Sequence, residues 1–193
     1  MNSSASKLTI NYLAFQAGWF ACVLGAAKGY PMLGPIVVLV AVVWHLFHAQ
    51  RPAKELTLLI FCALIGLVFD SLLLATGWVK FTNGMLLQNL APYWMVALWI
   101  VFATSLNQSM AWLRGRPLLA AVFGAVGGPL SYLAGAKLGA MTLVSTMPAL
   151  LALAVGWGLI MPILINLSVK YDGFKLPAPH SDVLFGSLNH NGV

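Results

Sequence analysis

Long, uninterrupted apolar runs are the feature that most restricts how this chain can fold. Several of them approach or exceed the roughly 20 residues that a helix needs to cross the hydrocarbon core of a bilayer. Strands of a membrane barrel would instead show ten-residue segments of alternating polarity, and these runs are apolar throughout. The sequence therefore predicts an all-α polytopic membrane protein. Its bundle of six transmembrane helices is expected over residues 9–27, 31–49, 55–77, 91–112, 117–139 and 146–169.

The composition favours lipid rather than water as the surrounding medium. Of the 193 residues, 61% are hydrophobic and only 7% are charged, whereas a soluble domain contains about 25% charged residues. So little polar surface cannot cover a globule in water. We predict a cytoplasmic N-terminal segment (1–8), a transmembrane domain (9–169) and a flexible cytoplasmic tail (170–193), because the tail mixes Pro, Gly, Asn and His without periodicity.

The positions of the basic residues predict the orientation in the membrane. With the N-terminus inside, the cytoplasmic segments hold seven of the ten lysines and arginines: Lys7, Arg51, Lys54, Arg114, Arg116, Lys170 and Lys175. The outer segments hold Lys28, Lys80 and Lys137. Because basic residues favour the cytoplasmic side, both termini are expected there. Anionic lipid headgroups account for the net charge of +6, which requires no nucleic-acid partner.

Ionisable residues inside a span are the first place to look for function. Asp70 lies deep in the third span, where an ionised carboxylate requires a partner or water, and it is the candidate catalytic residue. A structural hydrogen-bonding role is the alternative. Lys137 lies near the outer end of the fifth span and either pairs with Asp70 or extends to the outer headgroups.

Three tryptophans, Trp19, Trp99 and Trp157, fall near the middle of their spans. An indole N–H in hydrocarbon needs a hydrogen-bond acceptor. These side chains therefore either pack helices together through a serine or a carbonyl, or line a midplane cavity for an apolar or aromatic ligand.

A second polar set lies towards the cytoplasmic ends of the spans. His45 on the second span, with Asn107 and Gln108 on the fourth, forms either a polar pocket that faces the cytoplasm or a set of bonds that join helices. His48 follows His45 by three residues, but no acidic or cysteine partner is nearby in the sequence. We therefore predict interfacial histidines and no metal site, and the sequence indicates no cofactor.

The segment 123–140 is rich in glycine but does not fit a phosphate-binding loop, which needs a preceding strand and surrounding water. Its glycines include two pairs spaced four residues apart, Gly124 with Gly128 and Gly135 with Gly139. Each pair is expected to clear one helix face for close contact with another helix. Pro129 predicts a kink, with Ser131 and Tyr132 as candidate donors beside it.

Five segments together resemble a known family of bacterial inner-membrane proteins, domain of unknown function 2878. They are FQAGWFACVLGAA (15–27), LIGLVFDSLL (64–73), APYWMVALWIVFATSLNQS (91–109), GAVGGPLSYLAGAKLGA (124–140) and LALAVGWGLIMPIL (151–164). The resemblance covers about residues 9–172 and implies an inner-membrane location without an established activity. Relatives accompany cyclopropane-fatty-acid-synthase-like methyltransferases and flavin amine-oxidase-like proteins. This implies a role near membrane lipids, with lipids and lipid-modifying enzymes as partners.

The sequence is consistent with three functions. The leading hypothesis is that the protein binds a lipid or another apolar molecule within the bilayer, or helps to modify it. A second is a small-solute transporter or substrate-binding subunit, since six helices in under 200 residues, with both termini inside, resemble the substrate-binding subunits of energy-coupling-factor vitamin importers. A third is a membrane enzyme that uses Asp70 as acid or base, although the sequence places no second catalytic group beside it.

Overall fold

A computed structural model describes residues 3–175 as six α-helices with one small antiparallel sheet. The helices are α1 Ser3–Ala27, α2 Leu33–His48, α3 Pro52–Ala75, α4 Tyr93–Leu106, α5 Pro117–Lys137 and α6 Thr146–Lys170. The strands are β1 Val79–Phe81 and β2 Met141–Leu143, and a single 3₁₀ turn lies at Ala111–Leu113. Each predicted span overlaps one α-helix, so the helical architecture is confirmed.

Four of the helices, α1, α3, α5 and α6, are long and apolar enough to cross a membrane, which is consistent with an integral membrane protein. The other two are shorter, with 16 residues in α2 and 14 in α4. At 1.5 Å per residue they are about 24 and 21 Å long, less than the roughly 30 Å of a hydrocarbon core. That α2 and α4 also cross remains a prediction.

Helix α4 ends earlier than the sequence predicted. The hydroxyls of Thr104 and Ser105 donate to the carbonyls three residues before them, at 2.7 and 2.6 Å. Side-chain bonds of this kind compete with continued helix, and the chain turns after Leu106. Asn107 and Gln108 therefore lie beyond the helix, not on it as predicted.

The core is built around α4, of which ten residues are buried. Helices α1, α2 and α3 pack around α4, while α5 packs chiefly against α6. Helix α6 also contacts α3 and α4, and so connects the α5–α6 pair to the other four helices. Helices α1 and α5 make no extensive contact with each other. This arrangement leaves a space between α1 and α5.

Two glycines of α5 bring that helix against α6. A Cβ atom at Gly128 would overlap the Trp157 ring and lie 2.8 Å from its Cβ, and one at Gly124 would lie 2.7 Å from the Met161 Cβ. The structure thus places this pair in the α5–α6 contact, and α5 continues through Pro129.

The second glycine pair does not form a helix face, contrary to the prediction. Gly135 faces the Met141 side chain, but Gly139 lies beyond the end of α5 with a φ of 91°. Glycine adopts this left-handed conformation without the steric penalty of a side chain. Gly139 therefore belongs to the turn after the helix and clears no packing surface on it.

The short sheet joins two connections at one end of the bundle. Strand β1 follows α3 and pairs with β2, which follows α5, so that Lys80 lies opposite Thr142. The sequence prediction contained only helices, because three-residue strands are too short to give a periodic signal.

Candidate functional site

A cavity of about 390 Å³ lies between α1, α4, α5 and α6, within the range of about 300–1,000 Å³ typical of small-molecule sites. Aromatic residues, methionines and glycines make up most of its wall. No lysine, arginine, histidine, aspartate or glutamate is among the described residues that line it. The cavity therefore suits an apolar and uncharged occupant.

All three midspan tryptophans line this cavity, from three different helices. Trp99 of α4 and Trp157 of α6 stack with ring centroids 4.5 Å apart and planes inclined by 9°. Trp19 of α1 donates a hydrogen bond of 3.0 Å to Ser131 Oγ of α5. The tryptophans thus both join helices and form the cavity wall, which combines the two interpretations of the sequence.

Glycines of the two helices on either side of the stacked indoles leave room for the rings. A Cβ at Gly66 of α3 would overlap the Trp99 ring, just as one at Gly128 of α5 would overlap the Trp157 ring. The two rings therefore fill the space between α3 and α5. Sequence reasoning missed Gly66, although it lies one helical turn before Asp70 and so shares a face with it.

Asp70 lies outside the cavity and accepts hydrogen bonds from two residues that line it. Its carboxyl group is fully buried and accepts a hydrogen bond of 2.7 Å from Trp99 Nε1 and another from the Tyr132 hydroxyl. Trp99 and Tyr132 line the cavity, whereas Asp70 does not. These bonds fix the orientation of two wall residues, as the structural alternative considered for Asp70 would have it.

Lys137 lies at the exposed end of α5. Within the described residues it forms no ion pair with Asp70, whose bonds go to Trp99 and Tyr132. The pairing considered from the sequence is therefore not realised, and the exposed position fits extension of the side chain towards headgroups.

A second polar cluster surrounds Glu55, a residue that sequence reasoning did not single out. Its fully buried carboxylate lies 2.9 Å from His45 Nε2 and accepts bonds from Asn107 Nδ2 at 2.6 Å and from the Gly173 N–H at 2.7 Å. These partners come from α2, from the turn after α4 and from the segment after α6. Glu55 therefore joins four parts of the chain at one end of the bundle.

Arg114 extends this cluster towards the C-terminal segment. It donates to Asn107 Oδ1 at 2.5 Å and forms an ion pair of 2.8 Å with Asp172. The Arg51 N–H also donates to the Gly173 carbonyl at 2.9 Å. These bonds attach Asp172 and Gly173, which belong to the tail predicted from residue 170, to the bundle; residues 176–193 lie outside the described residues.

The two histidines separate in the structure. His48 is exposed and donates to the Trp44 carbonyl at 2.8 Å, whereas His45 is buried against Glu55. Glu55 follows His45 by ten residues, and the turn between α2 and α3 brings it back to the imidazole, so an acidic group accompanies this histidine. A glutamate in the first turn of an apolar helix was the available signal. Gln108 lines a small cavity of about 40 Å³ beside these residues.

Residues 8–163 match the family model described as Protein of unknown function (DUF2878). The chain belongs to this family. The match confirms the resemblance found in the sequence, and it includes the cavity residues and Glu55 but ends before Asp172 and Gly173 of the DUF2878 protein. Neither the comparison with curated proteins nor that with solved structures gives a match.

Proposed function

We propose that this DUF2878 protein binds a lipid or another apolar molecule in the cavity between α1, α4, α5 and α6, and presents it or helps to modify it. The observation that carries the proposal is the cavity itself, about 390 Å³ in volume, with a wall of aromatic and aliphatic side chains. Cavities with such walls exclude water and favour apolar ligands.

We further propose that the ligand enters sideways, from the lipid. Three residues that line the cavity are also on the outer surface of the bundle: Phe20 of α1 is 47% exposed, and Phe123 and Leu130 of α5 are 40% and 58% exposed. They belong to the two helices that make no extensive contact with each other. In a bilayer, this gap faces hydrocarbon chains.

We also propose that the protein lies in the bacterial cytoplasmic membrane, with six crossings and both termini in the cytoplasm. The cluster around Glu55 gathers the α2–α3 turn, the segment before α5 and the end of α6 at one face of the bundle. Seven of the ten lysines and arginines belong to the connections and helix ends on the same side of the membrane as this cluster. Because basic residues favour the cytoplasmic side, this face is assigned to the cytoplasm. Helix α4 is enclosed by other helices, so its short length is compatible with a crossing.

Single-cysteine labelling tests this topology. In a variant without Cys22 and Cys62, a cysteine at exposed Met85 is expected to react with a membrane-impermeant maleimide in intact cells. A cysteine at exposed Arg116 is expected to react only after lysis. The opposite pattern would reverse the orientation, and labelling of both positions in intact cells would contradict the six crossings.

A bulky residue at Gly127 is expected to fill the cavity and displace its ligand without unfolding the protein. Gly127 lines the cavity, and a Cβ there would have no neighbour within 4 Å, so a phenylalanine has room to enter it. The amount of lipid that co-purifies with the protein in mild detergent should be several-fold lower for Gly127→Phe than for the wild type, as measured by mass spectrometry. Val126→Phe is the matched control, because Val126 is exposed and outside the cavity.

Two results would count against the proposed function. The first is recovery of only bulk phospholipid, in bulk proportions, from the wild-type protein. The second is an equal loss of the bound lipid in Gly127→Phe and Val126→Phe. Co-purification of a water-soluble vitamin instead would favour the substrate-binding subunit of an importer.

A further inference from the structure

We infer that the ligand of the cavity carries an uncharged hydroxyl group, which pairs with the side-chain amide of Gln16. This inference rests on the proposed function and names the chemical class of its ligand, an otherwise apolar alcohol. Three observations support it: the depth of Gln16 in its span, the free hydrogen-bonding groups of its amide, and the open space beside it.

Gln16 lies near the middle of α1, between two exposed lysines that mark the ends of this span, Lys7 and Lys28. At 1.5 Å per residue, it is about 14 Å along the helix from Lys7 and about 18 Å from Lys28. A glutamine side chain is too short to reach the headgroups from this depth, unlike the long side chains of lysine and arginine. An amide without a partner in hydrocarbon is costly, and polar residues at such positions mark functional sites.

The Gln16 amide forms no hydrogen bond with any of the described residues 3–175. Asn11 of the same helix, by contrast, donates to the Thr104 carbonyl at 3.1 Å and accepts from the Ser109 hydroxyl at 3.0 Å. Gln16 is half-buried and lines the cavity, and neither polar atom of its amide is enclosed by protein. Its donors and its acceptor are therefore available to a ligand.

Helices α1 and α5, on either side of the gap, run in the same direction. Asn83 donates to the carbonyl of Ala26 at the end of α1, and its neighbour Thr82 donates to the carbonyl of Gly139 just after α5. Both helices therefore end at the same face of the bundle, and residues of α1 and α5 can be matched by level.

The space beside Gln16 is left open by a glycine of α5. The hydrogen bond from Trp19 to Ser131 sets one level shared by the two helices. One turn before it lie Gln16 on α1 and Gly127 on α5, each on the same helix face as the bonded residue. Gly127 also lines the cavity, and a Cβ there would have no neighbour within 4 Å. A ligand therefore has room next to the amide.

A hydroxyl group is the neutral group that suits this amide best. An amide has both N–H donors and a carbonyl acceptor. A hydroxyl both donates and accepts, so it pairs with whichever end of the amide faces it, whereas an ester or ketone oxygen pairs with one end only. Because no charged side chain is among the described lining residues, a carboxylate or phosphate there would have no counterion, which is far more costly.

Three probes of equal chain length test the inference on the purified full-length protein in detergent: dodecane, dodecanol and dodecanoate. Binding of each radiolabelled probe is compared between the wild type and Gln16→Met, which keeps the side-chain length but removes the amide. Dodecanol should bind between about twofold and tenfold more weakly to the variant, the effect of one hydrogen bond, while dodecane should bind both proteins equally. Dodecanoate, kept ionised by an alkaline buffer, should not displace dodecanol from the wild type.

Gln88→Met is the matched control, because Gln88 is exposed and outside the cavity; its affinity for dodecanol should equal that of the wild type. Since the Gln16 amide makes no bond within the described bundle, Gln16→Met is expected to fold.

Three results would overturn the inference while leaving the proposed function intact. The first is an equal change for dodecane and dodecanol in Gln16→Met, and the second is displacement of dodecanol by dodecanoate. The third is a fall in particle mass in Gln16→Met with unchanged affinity for dodecanol, which would show that Gln16 pairs with a second copy of the chain. Failure of every probe to bind would overturn the inference, and the proposed function as well if no lipid co-purifies with the wild type.

Discussion

Replacing Gly128 with leucine is expected to abolish folding of the helical bundle. A side chain at this position would overlap the Trp157 ring, and that ring cannot move away because it stacks on Trp99, which in turn lies against Gly66. The added atoms must therefore separate α5 from α6. Overpacking a buried site costs about 1–3 kcal/mol for a few methylene groups, and forcing two helices apart costs more.

The neighbouring glycine provides a matched control for this prediction. Gly127→Leu adds the same atoms one residue away, where a Cβ has no neighbour within 4 Å. Expression level and thermal unfolding of the two variants in detergent are the measurements. Gly127→Leu should unfold near the wild-type temperature, whereas Gly128→Leu should give little folded protein. Equal stability of the two would show that the close packing of α5 on α6 is not required.

Replacing Glu55 with alanine is expected to release the segment that follows α6 and to destabilise the whole bundle. The substitution leaves His45, Asn107 and the Gly173 N–H without their common acceptor. Each buried donor that is left without an acceptor costs about 1–3 kcal/mol. Because Arg114 reaches this cluster through Asn107, its ion pair with Asp172 should weaken as well.

Hydrogen exchange distinguishes local release from general instability. The amide of Gly173 should exchange much faster in Glu55→Ala than in the wild type, and faster than amides in the middle of α4. Arg116→Ala is the control, since Arg116 is exposed at the same end of the bundle, and its exchange at Gly173 should match that of the wild type. Unchanged protection of Gly173 in Glu55→Ala would contradict the role assigned to the carboxylate.

The two buried carboxyl groups, Asp70 and Glu55, have different structural roles. Asp70 orients Trp99 and Tyr132 in the wall of an apolar space, while Glu55 ties the helix ends together. Neither carboxylate lines the cavity. This separation supports the proposal that the cavity binds an uncharged molecule.

The sequence alone predicted the helices and their number, because continuous apolar runs of about 20 residues have few other stable conformations in lipid. It also indicated Asp70 and the three midspan tryptophans, since polar atoms in an apolar span require partners. Their partners were not predictable, because Asp70 and Tyr132 are 62 residues apart and only the packing of α3 near α5 brings them together. The tertiary structure alone also revealed Glu55 as the centre of a cluster, because Asn107 and Gly173 are 52 and 118 residues away from it. Continuous apolar runs determine which segments become helices, whereas hydrogen bonds between distant segments depend on how those helices pack.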